Sequence, residues 1–115
     1  MSMMSSKSES KIQAEILLTI NQRGHRLYRS NAGTIKDERT GSWIKLFPKG
    51  FPDTVGFHRD TGKFIVIEVK NKAGRLSKDQ VAFKDFIIHQ PVIYGVARSA
   101  QEAVDIIEGG AVYHD

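Results

Sequence analysis

Two short stretches, GFPD at 50–53 and IVIEVKNK at 65–72, put Asp53, Glu68 and Lys70 where apolar residues would pack better in a small sheet. Ionised side chains on such rows must be paired, bound to a metal or open to a cleft. Along FIVIEVK successive side chains alternate, so Phe64, Val66, Glu68 and Lys70 share one face and Ile65, Ile67 and Val69 take the other. Arg59, Asp60, Thr61 and Gly62 separate this run from TVGFH, which predicts an antiparallel hairpin. A four-residue loop sets His58 across from Lys63 and Asp53 across from Glu68. Directly opposed side chains have Cβ atoms about 5 Å apart, and like charges there are destabilising. A cation must sit between them, and the candidates are Lys70 and a divalent metal. Two convergent carboxylates offer the hard oxygen ligands that suit Mg²⁺ or Mn²⁺, so the metal is the preferred reading. The backbone carbonyl of Val69 supplies a third oxygen if the strand edge is open. Lys70 then lies close enough to orient or deprotonate an attacking water. A register slip of one residue would turn Asp53 away.

The elements that must hold these residues are legible around them. Ile12, Ile16, Leu17 and Ile20 recur at helical spacing between Glu9 and Gln22, with Ser8 as a cap and Gly24 as a stop. HRLYRSN reads as a short strand, AGTIKDERTGSW as a polar loop and WIKLF as another short strand. SKDQ at 77–80 is a capping box opening a helix with Ala82, Phe83, Phe86 and Ile87 on one side. A second box, SAQE at 99–102, opens a helix carrying Ala103, Val104, Ile106 and Ile107. Between them PVIYGVA reads as a strand buried on both faces. The expected fold is α/β (α+β), a central mixed sheet flanked by helices in the order α-β-β-β-α-β-α. Residues 1–8 are expected to form a polar tail and 9–115 a single domain.

The 115 residues contain no cysteine, which excludes disulfides and thiolate metal sites, and no apolar run of the roughly 20 residues needed to span a bilayer. With no apolar signal segment at the start, a cytoplasmic location is expected. Seventeen basic against thirteen acidic residues give a net charge of +4. The charges cluster: Arg23, Arg26, Arg29, Lys36, Arg39, Lys45 and Lys49 precede the hairpin, and Lys70, Lys72, Arg75 and Lys78 follow it. Such clusters suit a polyanionic partner held by its backbone. The four histidines show no ligand spacing and are given no role.

PD at 52–53 and EVK at 68–70 resemble the PD-(D/E)XK motif of the restriction-endonuclease-like nucleases. SESKIQAEILLTINQRG, RSNAG, GFPD, FIVIEVKNKAGRLSKDQVAF and GVARSAQEAVDII together resemble the virus-type replication-repair nuclease (VRR-NUC) family, in the right order from Glu9 to Ile107. The resemblance implies a restriction-endonuclease-like core and a metal-dependent phosphodiesterase. In it Asp53 and Glu68 are similar to the family's metal-binding carboxylates and Lys70 to its catalytic lysine. It further implies that Glu9 is the helix-borne acid at the metal, with Glu15 the competing choice, and that Gln80 has a catalytic role. Glu9 could equally complement the helix dipole, and Gln80 could equally serve the capping box. Phe51 departs from the small residue common at its place and either packs or wedges against nucleic acid.

The resulting expectation is an Mg²⁺- or Mn²⁺-dependent DNA endonuclease without a small-molecule cofactor. Its DNA-binding residues are Arg26, Arg29, Asn31, Lys45, Lys49, Lys72, Arg75 and Ser77. Stand-alone phage-type members of the family imply a homodimer acting on branched DNA such as four-way junctions, and a phage or prophage origin. The alternatives are a flap or end nuclease, a restriction-type nuclease needing a partner subunit, and a DNA-binding module that does not cut.

Overall fold

The computed structural model describes residues 7–30 and 34–114. Helix α1 (Glu9–Gln22) starts at Ser8, whose Oγ accepts the Lys11 amide at 3.1 Å, and the chain leaves it through Gly24 at φ +95°. Its Ile12, Ile16 and Ile20 are buried, as the spacing predicts. Strands β1 (Arg26–Arg29), β4 (Thr54–Phe57), β5 (Phe64–Val69) and β6 (Ile93–Ala97) form a mixed sheet in the order β1-β4-β5-β6. The first two junctions are antiparallel and β5–β6 is parallel. Helix α2 (Lys78–Ile87) provides the crossover from β5 to β6, and α3 (Ala100–Gly109) follows β6.

The alternation along β5 divides the core. Ile65, Ile67 and Val69 pack with Ile12, Ile16 and Ile20 of α1 and with Ala103, Ile106 and Ile107 of α3. Val66 packs on the other face with Ile87, Tyr94 and Val96, and Phe51, Val55 and Phe83 lie against this cluster. Helices therefore cover both faces, and the main-sheet strands follow the expected order α-β-β-β-α-β-α.

Several local expectations are corrected. Residues Thr34–Lys36, read as loop, form strand β2, which pairs with β3 (Trp43–Lys45) in a separate two-stranded ribbon. The polar turn between them hid a β-branched pair, Thr34 and Ile35, that favours extended chain. The SAQE box is only half made: Ser99 Oγ accepts the Glu102 amide at 3.1 Å, but Glu102 Oε1 reaches past Ser99 to the Arg98 amide at 2.8 Å. On α2, Ile87 is buried and Phe83 half-buried, whereas Ala82 and Phe86 face solvent. α2 is covered along a narrow stripe, so helical spacing alone overstated its apolar face. The tail reading for residues 1–8 falls mostly outside the described residues.

Candidate active site

The β4–β5 register pairs Thr54 with Ile67 and Phe57 with Phe64, and His58 N–H donates to the Lys63 carbonyl at 2.9 Å across the turn. Continued one step, this register sets Asp53 across from Glu68, as the loop length predicts. One step further, Val69 faces Pro52. Proline has no amide hydrogen, so it offers nothing to the Val69 carbonyl. The Val69 amide donates instead to Asp53 Oδ1 at 2.9 Å. The Pro-Asp dipeptide thus ends the ladder and turns the aspartate side chain onto the strand end.

Two further contacts hold this dipeptide. The Ser30 amide donates to the Asp53 carbonyl at 2.9 Å, and the Ser30 hydroxyl donates to the Pro52 carbonyl at 2.5 Å. Gly50, at φ +88°, lets the preceding loop lie against α2, since a Cβ there would meet the Asp79 carbonyl oxygen at 2.3 Å. Phe51 stacks on Phe47 with centroids 4.2 Å apart and meets the edge of Phe83 at 5.2 Å. It packs.

Glu68 is 3% exposed and Asp53 is half-buried. Neither forms an ion pair with a lysine or arginine among the described residues. Burial pushes Glu68 well above the usual carboxylate range, the Asp53 charge adds to this, and Lys70 opposes it. Burial also raises Asp53, against the pull of the Val69 amide. The two groups titrate as a pair, with Glu68 holding its proton to the higher pH. Glu9 raises both by its charge, so it stands at the same end of the sheet, exposed in the first turn of α1. Glu15 is paired with Lys7 at 3.0 Å.

No group of three or more His, Cys, Asp and Glu residues among the described residues is gathered closely enough to hold a metal ion. The donors at hand are two acidic side chains with uncompensated charge and a main-chain carbonyl. All are hard oxygens, a set that fits Mg²⁺ or Mn²⁺.

Lys70 follows β5, with its amide bonded to the Ala97 carbonyl at 3.1 Å and its side chain against Gly74. The turn after it is fastened by Arg98, whose Nη1 donates to the carbonyls of Asn71 at 2.6 Å and Gly74 at 2.7 Å. Gln80 Oε1 accepts the Ser77 amide at 2.8 Å while Ser77 Oγ accepts the Gln80 amide at 3.2 Å. That end of Gln80 and the Ser77 hydroxyl therefore serve the cap.

Among the cations, Arg29 lies across from Thr54, next to Asp53, and Lys72 and Arg75 are exposed on the loop after Lys70. Lys45 lies on the ribbon and Lys49 on the loop before Phe51, both exposed. Arg26 is paired with Phe57 at the far end of β4 and bonds the His25 carbonyl at 2.9 Å, away from the carboxylates. Asn31 lies outside the described residues. Sequence reasoning missed Ser30 and Arg98. Ser30 carried a signal in the quoted RSNAG, but the role of Arg98 depends on the parallel β5–β6 pairing.

The family model for the VRR-NUC domain matches residues 7–101. The chain belongs to the VRR-NUC family. The match spans α1 through the first turn of α3 and so includes every residue of the site. A VRR-NUC domain is a nuclease domain of the PD-(D/E)XK type, with DNA as substrate, and this sheet and its helices have the corresponding restriction-endonuclease-like architecture. Sequence comparison with curated proteins finds no match. Among the described residues no helix is long and apolar enough to cross a membrane.

Proposed function

We propose that this VRR-NUC protein is a metal-dependent endonuclease that hydrolyses phosphodiesters in branched DNA, four-way junctions included, as a homodimer. The observation that carries the reading is the buried pair Asp53 and Glu68, held without a cationic partner at the end of β5 beside Lys70. Two apposed carboxyls drawn out of water without an ion-pair partner are costly to ionise, and a fold keeps them where a ligand compensates the charge.

Asp53 and Glu68 would hold the metal, with the Val69 carbonyl as a third oxygen and Glu9 close by. Bound Mg²⁺ or Mn²⁺ supplies polarisation of the phosphate and a lowered pKa for the attacking water. Lys70 orients that water and stabilises the charge that builds on the phosphoryl oxygens as the P–O bond to the leaving strand breaks. The Val69 amide and Ser30 fix Asp53 so that no side-chain reorganisation accompanies the step. The amide end of Gln80, which the cap does not use, would contact the scissile phosphate. Arg29, Lys45, Lys49, Lys72, Arg75, Asn31 and Ser77 contact the DNA backbone without reading bases, so affinity falls steeply with salt. One carboxylate pair makes one cut, and symmetric resolution of a junction requires two copies.

The test is cleavage of a labelled four-way junction, a splayed flap and a linear duplex with Mg²⁺, Mn²⁺ or EDTA, in parallel with Lys70→Ala. Paired cuts in the junction that vanish in EDTA and in the variant support the reading. Salt-sensitive binding without any cleavage would leave a non-cutting DNA-binding module.

A further inference from the structure

The ribbon of β2 and β3 is the part of the chain that the catalytic reading leaves unexplained. Its strands pair only with each other. Every residue of both strands is exposed, including Trp43 at 69%, Ile35 and Ile44. An isolated two-stranded ribbon is marginal in water, and apolar side chains left open on one point to a partner.

Alternation and register separate its faces. Thr34 pairs with Lys45 and Lys36 with Trp43, while Ile35 pairs with Ile44. Lys36, Trp43 and Lys45 therefore share one face, with Thr34 as its fourth member. That face is cationic around a single exposed indole. The acidic residues of the region, Asp37 and Glu38, are at the tip, where Asp37 is turned back to accept the Arg39 amide at 3.0 Å. Two cations flanking an aromatic plane match a nucleic-acid strand, whose phosphates meet the lysines while a base stacks on the ring.

The ribbon is also joined to the site. Its first strand begins shortly after Ser30, which clamps Pro52 and Asp53, and its second leads through Phe47 to Phe51. A groove of about 470 Å³ opens at its foot, lined by Arg29, Ser30, Leu46, Phe47 and Pro48. A strand held on the ribbon would enter this groove, two of whose lining residues reach the catalytic strand, Ser30 through the Pro52 and Asp53 carbonyls and Arg29 across from Thr54.

We infer that the Lys36–Trp43–Lys45 face of the ribbon binds an unpaired nucleotide of branched DNA next to the scissile phosphate, with Trp43 as its stacking platform. This rests on the nuclease reading and names the feature by which the site selects branched over linear DNA. Trp43 is the chain's only tryptophan, so its fluorescence reports on this face alone.

The experiment titrates the full-length protein in EDTA with a single-stranded oligonucleotide, a splayed flap and a blunt duplex of the same sequence. It reads Trp43 emission and, by gel shift, affinity for wild type, Trp43→Ala and Trp43→Phe. The expected result is quenching by the flap and single strand that exceeds quenching by the duplex. Flap affinity should fall about tenfold in Trp43→Ala, in the range of one lost base stack, and be largely restored in Trp43→Phe. Unchanged melting temperatures would verify that the variants fold. DNA binding that leaves Trp43 emission and the Trp43→Ala affinity unaltered would overturn the inference while sparing the nuclease reading. A Trp43→Ala protein that loses dimers in light scattering but keeps its flap affinity would assign the face to a second copy instead, and also overturn it. Failure to bind any DNA, with no cleavage in Mg²⁺ or Mn²⁺, would remove both readings together.

Discussion

Each end of the β4–β5 hairpin adjoins a carboxylate cluster, one around the exposed Glu108 and one made of the buried Glu68 and half-buried Asp53, and the two are built in opposite ways. At the turn end, Glu108 of α3 takes Arg23 at 2.6 Å and the buried His25 Nε2 at 2.9 Å. His25 Nδ1 accepts the Arg59 amide at 3.0 Å, which leaves Nε2 to donate to Glu108. The hydrogen bond from Arg23, seconded by His25, holds Glu108 down to about 2. At the other end Asp53 and Glu68 face one another, and burial drives both upward. One cluster ties α1, β1, the hairpin and α3 together with its charges satisfied. The other keeps its charge uncompensated within the fold, which is useful only if something binds there. The carboxylate at the surface is fully partnered and the buried one is not, the reverse of what stability alone would arrange.

The largest effect expected from breaking this contrast is catalytic. Glu68→Gln or Asp53→Asn should lower cleavage by at least about a thousandfold, since these groups act as a unit. Measured without metal, Asp53→Asn should melt several degrees higher, because it removes a desolvated charge and so stabilises by about 1 kcal/mol, whereas Glu68→Gln, which replaces a group that burial already keeps protonated, should melt close to wild type. Glu108→Gln should do the reverse: cleavage within a few fold of wild type, and stability lower by about 1 kcal/mol, as Arg23 and His25 lose their shared acceptor. A wild-type-like Glu108→Gln melt, or a destabilised metal-free Glu68→Gln, would erase the distinction.

Metal linkage sharpens the same comparison. Millimolar Mg²⁺ or Mn²⁺ should raise the melting temperature of the wild type by an amount equivalent to about 1–3 kcal/mol, and that of Glu68→Gln by much less. Metal binding must displace the proton that burial keeps on Glu68, so this stabilisation should grow as pH rises through neutrality. Calorimetric titration in buffers of different ionisation heat would detect the released proton.

The pH dependence of metal-free stability should carry both clusters with opposite signs. Asp53 and Glu68 have folded pKa values above their unfolded ones, so the folded chain binds more protons and stability falls as pH rises from about 4 through neutrality. Glu108 has a folded value below its unfolded one, so its contribution is present above about 4.5 and is lost as pH falls towards about 2. Urea melts across pH should show the first slope flattened in Glu68→Gln and the second in Glu108→Gln.

Smallest is the effect of the clamps. Arg98→Ala should leave two carbonyls of the 71–74 turn without their donor and loosen the segment after Lys70, lowering kcat about tenfold at unchanged metal affinity. Arg98→Lys, which keeps the charge and a nitrogen able to donate to both carbonyls but on a shorter stem, should rescue part of that loss.

Much of this molecule is local in origin and therefore legible in its sequence. The hairpin register follows from a four-residue loop, and with it the apposition of Asp53 and Glu68, because strand pairing across a short turn has few alternatives. The caps at Ser8 and Ser77 and the buried stripe of α1 are equally short-range. What the tertiary structure decided is long-range. Arg98 could be assigned to the turn after Lys70 only once β6 lay parallel to β5, and Glu108 to His25, 83 residues away in sequence, only once α3 lay against α1. Strand β2 escaped the sequence reading, and with it the pairing that makes a ribbon with the expected β3, because it is three residues long and alternates without a buried face. Periodicity records burial, and an element that buries nothing leaves no period to read.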